Sequence, residues 1–252
     1  MKVHCCPMMN DVEIHIKNLS KRFKDVVALD NVSVQFASGN LYGVIGPSGA
    51  GKTTLFRIML DLMRANSGVV QYRTGGRDVG YHVVQEHIAY MPQSQSLYAD
   101  LSVDEHLDFF RKLYGISDAD YEQKKRELVR LARLDNFLAR PAGQLSGGMY
   151  KKLGLICALL RSPQIMLLDE PTNGVDPISR REFWELLHNA VGRGILVLMS
   201  TAYMDEAERC SSVVLMEQGR VLATGVPDIL LRKYDSRNFD DLFIRRGGGG
   251  NA

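Results

Sequence analysis

The chain has 252 residues, of which 45% are hydrophobic and 24% charged, the composition of a soluble globular α/β domain with a sizeable core. A formal net charge of +2 argues against an electrostatically driven nucleic-acid binder. Every apolar run is broken by charge, Gly or Pro before the roughly 20 residues of a spanning helix, so any membrane spans are expected from another chain.

The N-terminal MKVHCCPMMN carries no apolar core of a secretory signal and is read as having none. Val12, Ile14 and Ile16 then alternate with polar residues, as do Val32, Val34 and Phe36, which predicts antiparallel strands. LYGVIG (41–46) is a short apolar run that enters PSGAGKTT, and TLFRIMLDLM (54–63) follows with helical spacing. The order is strand, glycine loop, helix. A hairpin is expected around Gly75-Gly76, and a strand ends in IAYMP (88–92).

The texture changes near residue 100. Ser102 and Glu105 make a capping box ahead of a helix with Val103, Leu107, Phe110 and Tyr114 on one face. YEQKKRELVRLARL (121–134) continues helical, its basic residues read as a solvated face. A third helix is expected from about Ser146 to Leu160. IMLLD (165–169) and ILVLMS (195–200) are uninterrupted apolar runs, the pattern of parallel strands buried on both faces. Between them SRREFWELLHNAV (179–191) reads as a helix opened by either Asp176-Pro177 or Ser179 with Glu182. VVLMEQGRVLATG (213–225) predicts a hairpin at Gln218-Gly219, and Pro227 opens a short helix.

The expected organisation is one α/β domain over residues 1–235, with a tail over 236–252 that is partly flexible. Its core lobe takes about 10–97 and 160–230; its helical lobe takes about 98–160. The cysteines are Cys5, Cys6, Cys157 and Cys210, with no zinc-like spacing. Cys157 is read as a buried apolar residue, Cys5-Cys6 as part of a loose reduced N-terminus, and all of them suit a reducing compartment.

GPSGAGKT (46–53) fits G-x-x-x-x-G-K-[ST] throughout. Gly46, Gly49 and Gly51 let backbone N–H groups turn inward around a phosphate, with Pro47, Ser48 and Ala50 completing the loop. Lys52 brings a positive charge to the β- and γ-phosphates, Thr53 offers a hydroxyl to Mg²⁺, and Thr54 continues a helix whose positive end faces the anion. IMLLDE then delivers Asp169 to a strand's C-terminal edge, where it would hold Mg²⁺, with Glu170 beside it to polarise the attacking water. Gln93, between a strand and the helical block, would contact Mg²⁺ and report it to the second lobe. LSGGM (145–149) sets Ser146, Gly147 and Gly148 at a second anion-seeking helix end, which a phosphate held by another subunit would explain.

These motifs in this order resemble the nucleotide-binding subunits of ABC transporters over about residues 12–230. The similarity is closest to bacterial export and multidrug-efflux ATPase subunits, through DPISRREFWELL (176–187) and STAYMDEAERC (200–210). The resemblance implies a P-loop NTPase fold: a RecA-like core, an antiparallel β-subdomain and an inserted α-helical subdomain carrying LSGGM. It implies ATP and Mg²⁺ as ligands, and a homo- or heterodimer with each ATP between one copy's Lys52 loop and the other's Ser146–Gly148. Phe23 falls where the family stacks an aromatic on adenine, the lesser alternative being that it closes the β-lobe; Asp176 falls in the dimer-contact loop. A permease at the cytoplasmic face of the membrane would dock between Gln93 and Tyr114, and no nucleic-acid partner is implied. Met149 stands where the family commonly has Gln. Ala202 stands where the family has a His that contacts the γ-phosphate, so slow hydrolysis, or a dimerising switch, is the alternative expectation.

Overall fold

Alternating side chains build the first sheet. In the computed structural model, which describes residues 11–94 and 96–247, β1 (Val12–Phe23) and β2 (Val26–Ala37) form one long antiparallel hairpin. They run beyond the alternating segments at 12–17 and 32–36. Asn18 and Asn31 adopt positive φ at the points where the register shifts, and pairing resumes after these bulges. The chain then enters β3 (Leu41–Ile45), turns into α1 (Lys52–Met59), and returns to the first sheet as β4 (Ser67–Thr74) and β5 (Arg77–Val79). The strand order there is β2-β1-β4-β5, with the expected turn at Gly75-Gly76.

A short helix α2 (Tyr81–Val84) leads to β6 (Ile88–Met91). Three longer helices follow: α3 (Val103–Tyr114), α4 (Asp118–Ala132) and α5 (Gly147–Leu159). The capping box is formed: Ser102 Oγ accepts from the Glu105 N–H and Glu105 accepts from the Ser102 N–H at 2.8 Å. β7 (Ile165–Asp169), α6 (Pro177–Gly192), β8 (Leu196–Thr201), β9 (Ser212–Glu217) and β10 (Arg220–Gly225) complete a six-stranded sheet of order β10-β9-β3-β8-β7-β6. It is parallel except for β10. Of the two expected openings of α6, the chain uses Asp176-Pro177.

The six-stranded sheet is covered on both faces, which is why β7 and β8 are uninterrupted apolar runs. Ile165, Leu167, Leu196 and Leu198 face α1 and the first sheet. Met166, Leu168, Val197 and Met199 face the other way, into one cluster with Leu153 and Ile156 of α5 and Phe183 and Trp184 of α6. Cys157 and Cys210 are buried free thiols in this second cluster. The end of the chain adds α7 (Pro227–Lys233) and a further helix, α8 (Phe239–Gly247), in the stretch expected as a tail. Its Phe239 and Leu242 are buried in the same cluster. The Cys5-Cys6 pair and residues 248–252 of the glycine-rich end lie outside the described residues.

Candidate functional site

Sheet order brings the motifs together. β3, β8 and β7 are neighbours in parallel, so the loops leaving their C-terminal ends open on one edge of the sheet. The first is the loop 46–51. A Cβ on Gly46 would lie 2.1 Å from the Met216 carbonyl oxygen, so only glycine fits. Gly51 caps α1 at φ 101, where a Cβ would reach within 2.4 Å of the Ala28 carbonyl. Ala50 is buried beneath, while Pro47, Ser48 and Gly49 form an exposed rim. No side chain caps the start of α1, so the N–H groups of its first turn, which includes Thr53 and Thr54, are left to the loop's mouth.

Lys52 reaches back across this mouth. Its Nζ donates to the carbonyls of Gly46 (2.7 Å) and Pro47 (3.1 Å) and lies 3.3 Å from Glu170 Oε1. The Lys52 side chain is 4% exposed and that of Glu170 11%, so the pair is only weakly screened by water. The other Glu170 oxygen accepts from Gln93 Nε2 at 2.8 Å and from Asn173 Nδ2 at 3.5 Å. Glu170 itself sits at φ 45, its N–H donating to the backbone carbonyl (3.1 Å) and hydroxyl (2.9 Å) of Ser200.

Asp169 ends β7 almost wholly buried. Ser200 Oγ donates to its Oδ1 at 2.5 Å, and its Oδ2 has no hydrogen-bond partner. Leaving a buried carboxylate oxygen unpaired costs on the order of 1–3 kcal/mol, which a bound cation would remove. Among the described residues no group of three or more His, Cys, Asp or Glu side chains is placed to hold a metal ion. The side chains expected as ligands, the Asp169 carboxylate, the Thr53 hydroxyl and the Gln93 amide, would offer hard oxygens, a set suited to Mg²⁺ rather than to a soft metal. Burial, and then the charge of Asp169, push the Tyr90 phenol above its ordinary pKa.

A second group forms where α5 and α6 begin. Ser146 caps α5, its Oγ accepting from the Met149 N–H at 3.2 Å. Asp176 caps α6, accepting from the N–H groups of Ile178 (3.1 Å) and Ser179 (2.9 Å). The Ser179 N–H bond holds the Asp176 carboxyl below the usual range. Gly148 joins the two helices: a Cβ there would lie 2.2 Å from Ser179 Cβ and 3.3 Å from Asp176 Oδ2. Gly148→Ala is therefore expected to destabilise the protein by about 1–3 kcal/mol, because α5 and α6 must separate; a lowered thermal midpoint checks this, and an unchanged one contradicts it. Neither Ser146 nor Asp176 hydrogen-bonds to Lys52, Asp169, Glu170 or Gln93 among the described residues.

Phe23, at the end of β1, is 42% exposed with the Lys21 ammonium 5.1 Å from its ring centroid, beside exposed Val26 and Val27. It does not close the core of the first sheet. Ala202 is exposed and follows buried Thr201 at the end of β8. Three contributors escaped the sequence reading. Asn173 touches Glu170. Lys151 of α5 donates to the Gln93 carbonyl at 3.3 Å, its ammonium pKa lowered by burial. Glu206 is fully buried, its pKa raised by that burial, and accepts from Thr172 Oγ1 at 3.1 Å. Asn173 lay within DEPTNG, so its position was a signal; the other two are brought in by packing alone.

A family model described as ABC transporter matches residues 29–173. The probable multidrug ABC transporter ATP-binding protein YbhF of Escherichia coli (strain K12) is 42% identical over 236 residues, 92% of this chain and 40% of that protein. The Nod factor export ATP-binding protein I of Sinorhizobium fredii is 34% identical over 223 residues, 88% of this chain and 65% of that protein. This chain therefore spans well under half the length of the first relative and about two thirds of the second. A solved ATP-binding subunit of an ABC transporter superposes with a TM-score of 0.80 at 30% identity, covering 93% of this chain and 99% of that one. A nucleotide-free ATP-binding cassette, at 23% identity and a TM-score of 0.72 over 85% of this chain and 91% of its own, agrees in fold.

Proposed function

This chain belongs to the ABC transporter ATP-binding family, and we propose that it binds and hydrolyses Mg-ATP to drive export through a separate membrane permease. The observation that carries this reading is the Lys52–Glu170–Gln93 constellation at the mouth of the glycine loop. A buried ammonium held by two backbone carbonyls and one carboxylate can exchange them for phosphate oxygens. Once Lys52 turns to the β- and γ-phosphates, Glu170 is released to take a proton from an attacking water, with Gln93 orienting it. Asp169, Thr53 and Gln93 would hold Mg²⁺, which when bound neutralises charge on the phosphates. Phe23 offers a free aromatic face to adenine.

Two such chains, alike or different, would enclose two ATP molecules, Ser146, Gly147 and Gly148 of one copy facing the triphosphate on the Lys52 loop of the other. Asp176 would lie in the contact between copies. Within each copy, α3–α5 would form the helical lobe that carries Ser146. Export is carried over from the relatives' names. No helix among the described residues is long and apolar enough to span a membrane. The proposed attachment to the cytoplasmic face is through the permease. Exposed Tyr98, Phe109 and Leu113 offer it a docking surface. Purified protein should release phosphate from ATP with Mg²⁺ and not with a chelator; equal release in both conditions would contradict the proposal.

A slow, switch-like ATPase is the second reading, favoured by the methyl group at Ala202. A preorganised donor in such a site is worth about 100- to 1000-fold in rate. Ala202→His is expected to raise turnover by up to about 100-fold. Unchanged turnover in this variant would mean that position 202 does not limit the rate.

A further inference from the structure

We propose that Asn173 and Tyr203 form a positioning relay that fixes the Glu170 carboxylate. The inference rests on reading Glu170 as the group that activates water. Tyr203 Oη donates to Asn173 Oδ1 at 3.3 Å, and Asn173 Nδ2 donates to Glu170 Oε2 at 3.5 Å. The same oxygen accepts from Gln93 at 2.8 Å, while Oε1 faces Lys52 at 3.3 Å.

The relay is anchored at its far end. The Arg180 guanidinium of α6 lies 4.7 Å over the Tyr203 ring and 3.7 Å and 3.9 Å from carboxylate oxygens of Asp205 and Glu206. The Tyr203 N–H donates to Thr201 Oγ1 at 3.0 Å. The Asn173 N–H also donates to the Glu170 carbonyl at 3.3 Å, which keeps the amide close to the carboxylate it serves. A phenol held in this way is a fixed donor, and it fixes in turn which face of the Asn173 amide meets Glu170.

The relay acts when Lys52 leaves Glu170 for phosphate. Glu170 then loses its charged partner, and the amide donors of Gln93 and Asn173 are what still orient Oε2. The adjoining segment can thus reach Glu170 through Tyr203 although residue 202 offers only a methyl group.

The test is single-turnover hydrolysis of Mg-ATP by the full chain in excess, with ATP dissociation constants measured alongside. The variants are Asn173→Ala, Tyr203→Phe and the double variant. Asn173→Ala is expected to slow the chemical step about tenfold and Tyr203→Phe about threefold to fivefold, the scale of one charged and one neutral hydrogen bond. ATP affinity should stay within about twofold, which a general loss of structure would not allow, and the double variant should be no slower than Asn173→Ala, since the two act in series. An unchanged rate in Asn173→Ala, losses that multiply in the double variant, or losses confined to ATP affinity would each overturn the relay. Glu170→Gln, run beside them, separates the two ideas. If it is silent the functional reading fails; if it is slow while Asn173→Ala is not, the relay alone fails.

Discussion

Glu170→Gln is expected to slow ATP hydrolysis by about 100- to 1000-fold while leaving ATP binding intact. The substitution preserves shape and an acceptor for Gln93 and Asn173, so the loop after β7 keeps its place. It removes the negative charge that stands 3.3 Å from a nearly buried ammonium. The proton acceptor is lost at the same stroke, and with it the chemical step. Binding should hold or tighten slightly, because the carboxylate that competes with phosphate for Lys52 is gone. Phosphate release under single-turnover conditions and a binding titration check the two halves separately. Loss of binding together with turnover would mean that Glu170 serves the fold or the phosphates and not the water.

Most of the sheet was legible because its strands are buried in two different ways. The unbroken apolar runs that open IMLLD and ILVLMS could only be covered on both faces, and they are. The alternating 12–17 and 32–36 marked a sheet with one buried side, but their full length was hidden. Asn18 and Asn31 interrupt the period at the bulges, after which pairing resumes out of phase. α8 was missed for a different reason. In FDDLFIRR, Phe239 and Leu242 are its only fully buried anchors, too few for a period to stand out among charges.

The site was legible wherever backbone chemistry dictates residue type. Glycine is forced at 46 and 51 by carbonyls within 2.4 Å of where a side chain would begin, and Ser146 and Asp176 announce themselves as helix caps. Gly148 was read as part of an anion-seeking helix end, yet contact with Ser179 explains it as well. Ser200, which clamps both Asp169 and the Glu170 N–H, depends on β7 and β8 meeting in the sheet, and Glu206, buried behind Thr172, on the segments that follow those two strands packing together. Such contacts leave no local spacing to read.

Lys52→Ala is the other change with a large expected effect. Its ammonium has three acceptors in the resting site, the Gly46 and Pro47 carbonyls and Glu170. The turn is also held by backbone hydrogen bonds that do not involve Nζ: the Gly46 N–H donates to the Thr201 carbonyl (3.2 Å), the Ala50 N–H to the Pro47 carbonyl (3.1 Å) and the Gly219 N–H to the Ala50 carbonyl (3.1 Å). The fold should therefore persist while the charge that meets the triphosphate disappears. A charge-assisted contact to phosphate in a poorly hydrated site is worth about 2–5 kcal/mol, or roughly 30-fold to several thousand-fold in affinity. Calorimetric titration of Mg-ATP into the wild-type and Lys52→Ala proteins tests this account most directly. It predicts saturable binding by the wild type and a dissociation constant at least about 30-fold weaker in the variant; equal affinity in the two proteins would contradict it.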